Sequence, residues 1–201
     1  MELTDIENQV KENPLSKSES KKQFLELTDK LDIKHSFDFD EAWEIGQQLR
    51  MRKVFREEIK KLEEQIKEHP LSQQGNTLKT NHPVKHSFAE GCYIREIYNP
   101  ANEIIITAIH AQSHPFFLLE GEMSILTHDG IEKLTAPYHG VTKPGIKRII
   151  YTHTPCKFVT VHATDLTDPD EIVEQVTTKT FEDPRITKED MKLINKLNLL
   201  K

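Results

Sequence analysis

Three histidines have the residue type and spacing that suit a metal or ligand site. Along the segment that begins at Ile104, strand alternation puts His110 on the same face as the isoleucine. His114 follows four residues later, and His162 lies in a second apolar segment. Neutral imidazole is a common ligand for divalent metals. We therefore take His110, His114 and His162 as candidate metal ligands, with polar lining of a cavity as the alternative.

A β-rich middle segment must position these histidines. Residues 79–165 hold eight of the ten histidines and few charged residues. Five segments are typical of strands: 84–89, 92–97, 103–110, 116–127 and 157–163. The pair Asp129-Gly130 between apolar residues predicts a hairpin. Short strands without intervening helices predict an antiparallel barrel, whose mouth can hold one small ligand.

The N-terminal region is typical of charged helices. Ser16 and Glu19 have the spacing of a capping box. A second helix is predicted to begin near Asp38 or Asp40 and to end near His69, ahead of a proline. One narrow apolar stripe runs along it, formed by Phe55, Ile59, Leu62 and Ile66. That stripe either packs on the chain's own domain or joins two copies of the chain.

The C-terminal region begins with an acidic stretch. Thr187 and Asp190 resemble a capping box at the start of a final helix. Its apolar face consists of Met191, Ile194, Leu197 and Leu200. The predicted fold is α+β, with a helical N-terminal region over 1–78, a β-barrel over 79–165, and an acidic linker with a short C-terminal helix over 166–201.

Composition excludes several classes of protein. The chain has 201 residues and a formal net charge of −6, which disfavours general nucleic-acid binding. No apolar run approaches the ~20 residues of a membrane span. The acidic N-terminus lacks the pattern of a secretory signal. The two cysteines, Cys92 and Cys156, form no recognisable motif, which together with the other features favours the cytoplasm.

The spacing of His110, His114 and Gly121 resembles the first sequence motif of the cupin superfamily. That motif has two histidines, a glutamate and a glycine. His110 stands at its second histidine, His114 at its glutamate, and Ala108 at its first histidine. The resemblance implies a cupin-like β-barrel and a site at these positions, with His114 as a substitute for the glutamate.

A second cupin motif, with proline, glycine and histidine, resembles Pro144, Gly145 and Arg148, where the arginine stands at the histidine position. More closely, the chain resembles the small cupin-like proteins encoded by bacteriophages, whose role is generally unassigned. The segments that carry this resemblance are Pro83–Gly91, Tyr93–Glu96, His110–His114, Gly121–Gly130, Ala136–Pro137, Lys143–Arg148 and Val161–Asp165.

Four further residues are candidates for ligand binding. The resemblance implies that Arg148 stands at a position that usually faces the site. An arginine beside imidazoles favours an anionic ligand such as a carboxylate or phosphate. Tyr93 and Arg95 share one face of their strand, and Glu120 shares strand parity with Phe116. Salt bridges at the rim or surface are the alternative for Arg148, Arg95 and Glu120, and barrel packing is the alternative for Tyr93.

The resulting prediction is a cupin-like small-molecule-binding protein, phage-encoded and located in the host cytoplasm, that sequesters an anionic host metabolite or signal. A divalent metal (zinc, iron, nickel or manganese) would be held by histidines. A homo-oligomer without a membrane partner is expected. Two alternatives stay open: a metal-dependent cupin enzyme of the oxygenase or isomerase type, and a structural or interaction protein that uses the barrel as a scaffold.

Overall fold

The computed structural model describes residues 16–30, 32, 38–73 and 75–196. The chain divides into two compact units. One unit extends to Gln48 and includes the C-terminal residues from Leu193, whereas the other runs from Leu49 to Lys192 and contains all the strands that the structure describes. No helix of the described part is both long and apolar enough to cross a membrane.

Five helices are described: α1 (Lys17–Lys30), α2 (Phe39–Glu68), α3 (Gly75–Asn81), α4 (Pro169–Val176) and α5 (Pro184–Lys196). The capping box of α1 is confirmed. The Ser16 backbone N–H donates to Glu19 Oε2 at 2.9 Å, and the Glu19 N–H donates to Ser16 Oγ at 3.3 Å. Asp38 caps α2 by accepting from the N–H groups of Asp40 and Glu41, so the predicted bounds of that helix are also confirmed.

The predicted cap of the C-terminal helix is wrong. Helix α5 begins at Pro184, three residues earlier than Thr187, because Asp183 accepts from the Arg185 N–H at 2.9 Å. Asp190 instead accepts hydrogen bonds from two arginines of α2. Met191 is 45% exposed. The other residues of the predicted apolar face, Ile194, Leu197 and Leu200, lie outside the residues whose side chains are described.

Eleven strands are described: β1 (Val84–Ala89), β2 (Cys92–Asn99), β3 (Ile104–Ile106), β4 (Ile109–His110), β5 (His114–Glu120), β6 (Glu122–Thr127), β7 (Gly130–Thr135), β8 (Tyr138–Thr142), β9 (Ile149–Thr152), β10 (Cys156–Ala163) and β11 (Thr177–Thr178). The Asp129-Gly130 turn joins β6 to β7 as predicted. The segment 116–127 is two strands and not one, because Gly121 adopts a φ of +91° between β5 and β6.

The strands form antiparallel sheets, but the described residues show no closed barrel. A five-stranded sheet has the order β1-β2-β10-β5-β8, a four-stranded sheet has the order β3-β9-β6-β7, and β4 pairs with β11. Each larger sheet keeps two edge strands, whereas a barrel has none. The expectation of a closed barrel is therefore corrected to two open sheets that share one core.

That shared core unites side chains from both larger sheets, which are Phe116, Leu118, Met123, Ile125, Leu134, Ile150, Cys156 and Phe158. A second core joins the apolar stripe of α2 to the strands. Ile59, 1% exposed, packs with Ile109, Phe181 and Ile186. The stripe thus packs on its own chain, and the expectation of a homo-oligomer stays a prediction.

Candidate functional site

Polar side chains meet on one buried face of the five-stranded sheet. His162 of β10 lies opposite Tyr93 of β2, and Thr160 lies opposite Arg95. Paired residues on neighbouring strands share a face of the sheet, and so do residues two apart. His114 of β5 joins this group, since its ring centroid lies 4.3 Å from that of His162. The sheet register therefore assembles the site.

His110, His114 and His162, named here the histidine cluster, lie in contact. The ring centroids of His110 and His114 are 4.6 Å apart. Only 2% of His114 and 5% of His162 is exposed. Three of their nitrogens are buried and have no hydrogen-bond partner among the described residues: His110 Nδ1, His114 Nε2 and His162 Nδ1. Buried polar atoms are rarely left unpaired, so these three nitrogens mark the positions at which a water, an ion or a ligand would be bound.

Hydrogen bonds of the remaining nitrogens help to fix the rings. His114 Nδ1 lies 3.3 Å from the carbonyl oxygen of Gln112. Because a carbonyl only accepts, Nδ1 carries the hydrogen and Nε2 offers a lone pair. His162 Nε2 lies 3.1 Å from Thr160 Oγ1. This hydroxyl either donates or accepts, so His162 Nδ1 can take either role toward a ligand.

The histidine cluster is uncharged at neutral pH. Burial lowers the pKa of His114 and of His162 from 6.5 to about 4. Burial also lowers the pKa of His110 well below its ordinary value, and nearby positive groups act in the same direction. Neutral imidazoles can donate a hydrogen bond and can also bind a metal.

Arg148 stands beside the histidine cluster and is 5% exposed. Its Nη2 donates to Thr142 Oγ1, and its guanidinium carbon lies 4.8 Å from the ring centroid of Phe116. Its backbone N–H donates to Thr107 Oγ1 at 3.0 Å. Among the described residues, no carboxylate forms an ion pair with it. Burial lowers the pKa of Arg148 to about 10, which still leaves the guanidinium charged.

Arg95 and Tyr93 form the opposite side of the site. Arg95 is partly buried on β2, and burial lowers its pKa. It too has no ion pair with a carboxylate in the part of the chain that is described. Tyr93 is 1% exposed, and burial raises its pKa. Its ring stacks on His162 at a centroid distance of 6.0 Å, and its Oη lies 2.6 Å from His86 Nδ1.

A segment after the last long strand holds His110 in place. Strand β4 pairs with β11, with His110 opposite Thr177. Helix α4 packs on Tyr93 through Ile172 and Val176. Ile172 and Val176 are 0% and 4% exposed, so buried apolar contacts hold helix α4 against Tyr93. Residues beyond the predicted barrel region thus contribute to the site.

Glu120 is not brought to the site. It is exposed, its carboxylate pairs with Lys157 Nζ, and the predicted shared parity with Phe116 is broken. The register between β5 and β10 shifts by one residue, with Leu118 opposite Phe158 but Glu120 opposite Lys157. One extra residue on β5 turns the following side chain to the other face.

The structure brings together six of the predicted site residues: Tyr93, Arg95, His110, His114, His162 and Arg148. Sequence reasoning missed Thr142, Thr160 and His86, which contact Arg148, His162 and Tyr93, respectively. Thr160 lies two residues before His162, and this spacing along a strand was a signal that could have found it. Thr142 and His86 depend on pairing between strands, which the sequence does not specify.

The histidine cluster fits a divalent metal in its chemistry but not in its present arrangement. It offers three neutral imidazoles, each with an unpaired nitrogen. Among the described residues, no group of three or more His, Cys, Asp or Glu side chains is arranged to hold an ion. Metal binding therefore requires the rings to turn until their nitrogens converge.

Comparison with known proteins gives only partial likenesses. No protein family matches the sequence, and no curated protein matches it. Ectoine synthase from P. lautus is 14% identical, with 52% of this chain and 86% of that chain covered and a TM-score of 0.41. A cupin superfamily protein from Desulfitobacterium hafniense is 14% identical, with 49% and 93% covered and a TM-score of 0.37.

A cupin-2 domain containing protein from Shewanella frigidimarina is 13% identical, with 40% of this chain and 79% of that chain covered and a TM-score of 0.35. The chain thus resembles cupin proteins over about half of its length or less. At these identities and TM-scores the likeness carries no conclusion about activity.

Proposed function

We propose that this protein binds a small anionic molecule between Arg95, Arg148 and the histidine cluster. The observation that carries the proposal is a buried guanidinium group, that of Arg148, and a partly buried one, that of Arg95, neither with an acidic partner among the described residues. An unpaired buried charge is costly, so such groups are normally compensated. An anionic ligand supplies that compensation.

The neighbouring groups suit the same ligand. Guanidinium groups recognise carboxylates and phosphates through charge-assisted hydrogen bonds. His162 can add an N–H donor, because Thr160 Oγ1 can donate to its Nε2 and leave the hydrogen on Nδ1. None of the described residues at the site forms an ion pair that would bring a carboxylate to it. Binding without turnover would suit a cupin-like protein that sequesters a metabolite or signal, and a phage-encoded protein would take it from the host.

Isothermal calorimetry against nucleotides, phosphosugars and organic acids tests this proposal. We expect at least one class to bind the wild type, and Arg148→Gln to weaken that binding by tenfold or more, roughly the value of one charge-assisted contact. Arg50→Gln is the matched control, since Arg50 is an exposed arginine of α2. Absence of binding across the panel, or equal loss in both variants, contradicts the proposal.

A second candidate function is metal binding by the histidine cluster. The three unpaired buried nitrogens favour it. His110, His114 and His162 would hold the ion, which would supply Lewis-acid chemistry toward an anionic ligand. With Glu120 turned to the surface and the three histidines holding the ion, proton transfer would fall to Tyr93.

Elemental analysis of untagged protein tests the metal. Near-stoichiometric zinc, iron, nickel or manganese in the wild type, lost in a His110→Ala/His114→Ala variant, is the expected result. The control is His139→Ala, which removes an exposed imidazole. Equal metal content in all three proteins would argue against a site at the cluster.

A further inference from the structure

We propose that the ligand of this site is a dianion, with one negative charge for each of the two arginines. The inference deepens the proposed function and rests on it. It concerns the number of charges on the ligand, which follows from the charges that the site leaves uncompensated. A dianionic ligand would be a phosphate monoester, sulfate or a dicarboxylate, and not a simple monocarboxylate.

The other buried or partly buried cations show how this chain normally compensates charge. Lys147 is 4% exposed, and its Nζ lies 3.1 Å from Glu63 Oε2. Arg52 and Arg56, with side chains 20% and 17% exposed, share the carboxylate of Asp190 at 3.0 and 2.7 Å. Each of these cations thus has an acid within ion-pair distance.

Arg95 and Arg148 depart from that pattern. Arg148 is 5% exposed and Arg95 is partly buried, yet no carboxylate of the described residues lies within ion-pair distance of either guanidinium group. The site therefore carries two positive charges and no negative one. A monoanion would leave one buried or partly buried guanidinium group unpaired, whereas a dianion pairs both.

The arrangement of the charges favours a ligand that lies between the arginines. Arg95 of β2 lies opposite Thr160 of β10, and Thr160 lies opposite Phe116 of β5. The guanidinium carbon of Arg148 lies 4.8 Å from the ring centroid of Phe116. In the strand order, β10 with His162 thus lies between Arg95 on β2 and the β5 side chain that Arg148 contacts. An oxyanion seated beside His162 would meet one arginine on each side, and His162 Nδ1 would donate a hydrogen bond to it.

Matched probes that differ by one charge test the inference. Sulfate is compared with methanesulfonate, and succinate with succinamate, by calorimetry at pH 7.5 and constant ionic strength. We expect the dianion of at least one pair to bind the wild type tenfold or more tightly than its monoanion, roughly the value of one charge-assisted pair. Arg95→Gln and Arg148→Gln should each reduce that preference to less than about threefold, whereas Arg50→Gln should preserve it.

The outcomes separate the two proposals. Equal affinity for the dianion and the monoanion in every pair that binds overturns the dianion but leaves anion binding intact. A preference that survives both arginine variants also overturns it. Failure of every probe to bind the wild type counts against the dianion and against the proposed function together. If a glutamine variant fails to fold, as judged by urea denaturation, Arg95→Lys and Arg148→Lys retain the charge and should retain the preference.

Discussion

Mild acid should destabilise this protein because two nearly fully buried histidines are held uncharged. The perturbation is a change from pH 7 to pH 5. The pKa of His114 and of His162 is lowered from 6.5 to about 4 by burial, whereas in the unfolded chain each histidine titrates near its ordinary value. Between these two values the unfolded state binds more protons than the folded state. The free energy of unfolding therefore falls as the pH falls.

The magnitude follows from the size of the shifts. Protonation of each histidine lowers the free energy of unfolding by about 3 kcal/mol once the pH lies well below 4. By pH 5 the decrease is about 2 kcal/mol for each histidine. His114 and His162 together would thus lower the free energy of unfolding by about 4 kcal/mol at pH 5. The whole free energy of unfolding of an ordinary domain is about 5–15 kcal/mol. His110, whose pKa is also lowered, acts in the same direction.

Urea denaturation at pH 7, 6 and 5 measures this loss. A His114→Gln/His162→Gln variant cannot take up these protons, so its free energy of unfolding should depend much less on pH, even where its stability at pH 7 is lower. The exposed His139→Gln serves as the control and should keep the wild-type dependence. A wild type equally stable at pH 7 and pH 5, or a double variant with the wild-type dependence, would refute the reasoning.

Two substitutions away from the site test the fold. Asp190→Asn removes the shared partner of Arg52 and Arg56 and should lower the free energy of unfolding by about 1–3 kcal/mol in urea denaturation; an unchanged midpoint would contradict this. Gly121→Ala should cost about 2 kcal/mol or more, because its φ is +91° and an added Cβ would clash with the carbonyl oxygen of Pro155. Wild-type stability of that variant, measured by thermal unfolding, would contradict the backbone argument.

Much of the local structure was predictable because short-range patterns determine it. Ser16 and Glu19 form the predicted capping box, and Asp38 begins α2 where the sequence indicates. The histidine cluster was predicted only in part from local spacing, which puts His110 and His114 four residues apart. His162 joins them through strand pairing, and His110 lies in the separate β4–β11 pair and not in the five-stranded sheet.

The errors arise where pairing between distant segments decides the result. A one-residue shift in the pairing of β5 with β10 turns Glu120 to the surface, and the local sequence pattern does not predict this shift. The spacing of Thr187 and Asp190 is that of a capping box, but Asp190 instead accepts hydrogen bonds from two arginines of α2. Closure of a barrel likewise depends on how the edge strands pair, which strand propensity does not determine.

NMR of the imidazole nitrogens, observed while inorganic phosphate is added, tests the central claim most directly. If an anion binds between the arginines, the signals of the histidine cluster should shift together and saturably, while those of the exposed His69 and His139 stay unchanged. The same titration of an Arg95→Gln/Arg148→Gln variant should give no saturable shift. Phosphate that leaves the cluster signals of the wild type unmoved, or that moves them equally in the variant, would contradict the account.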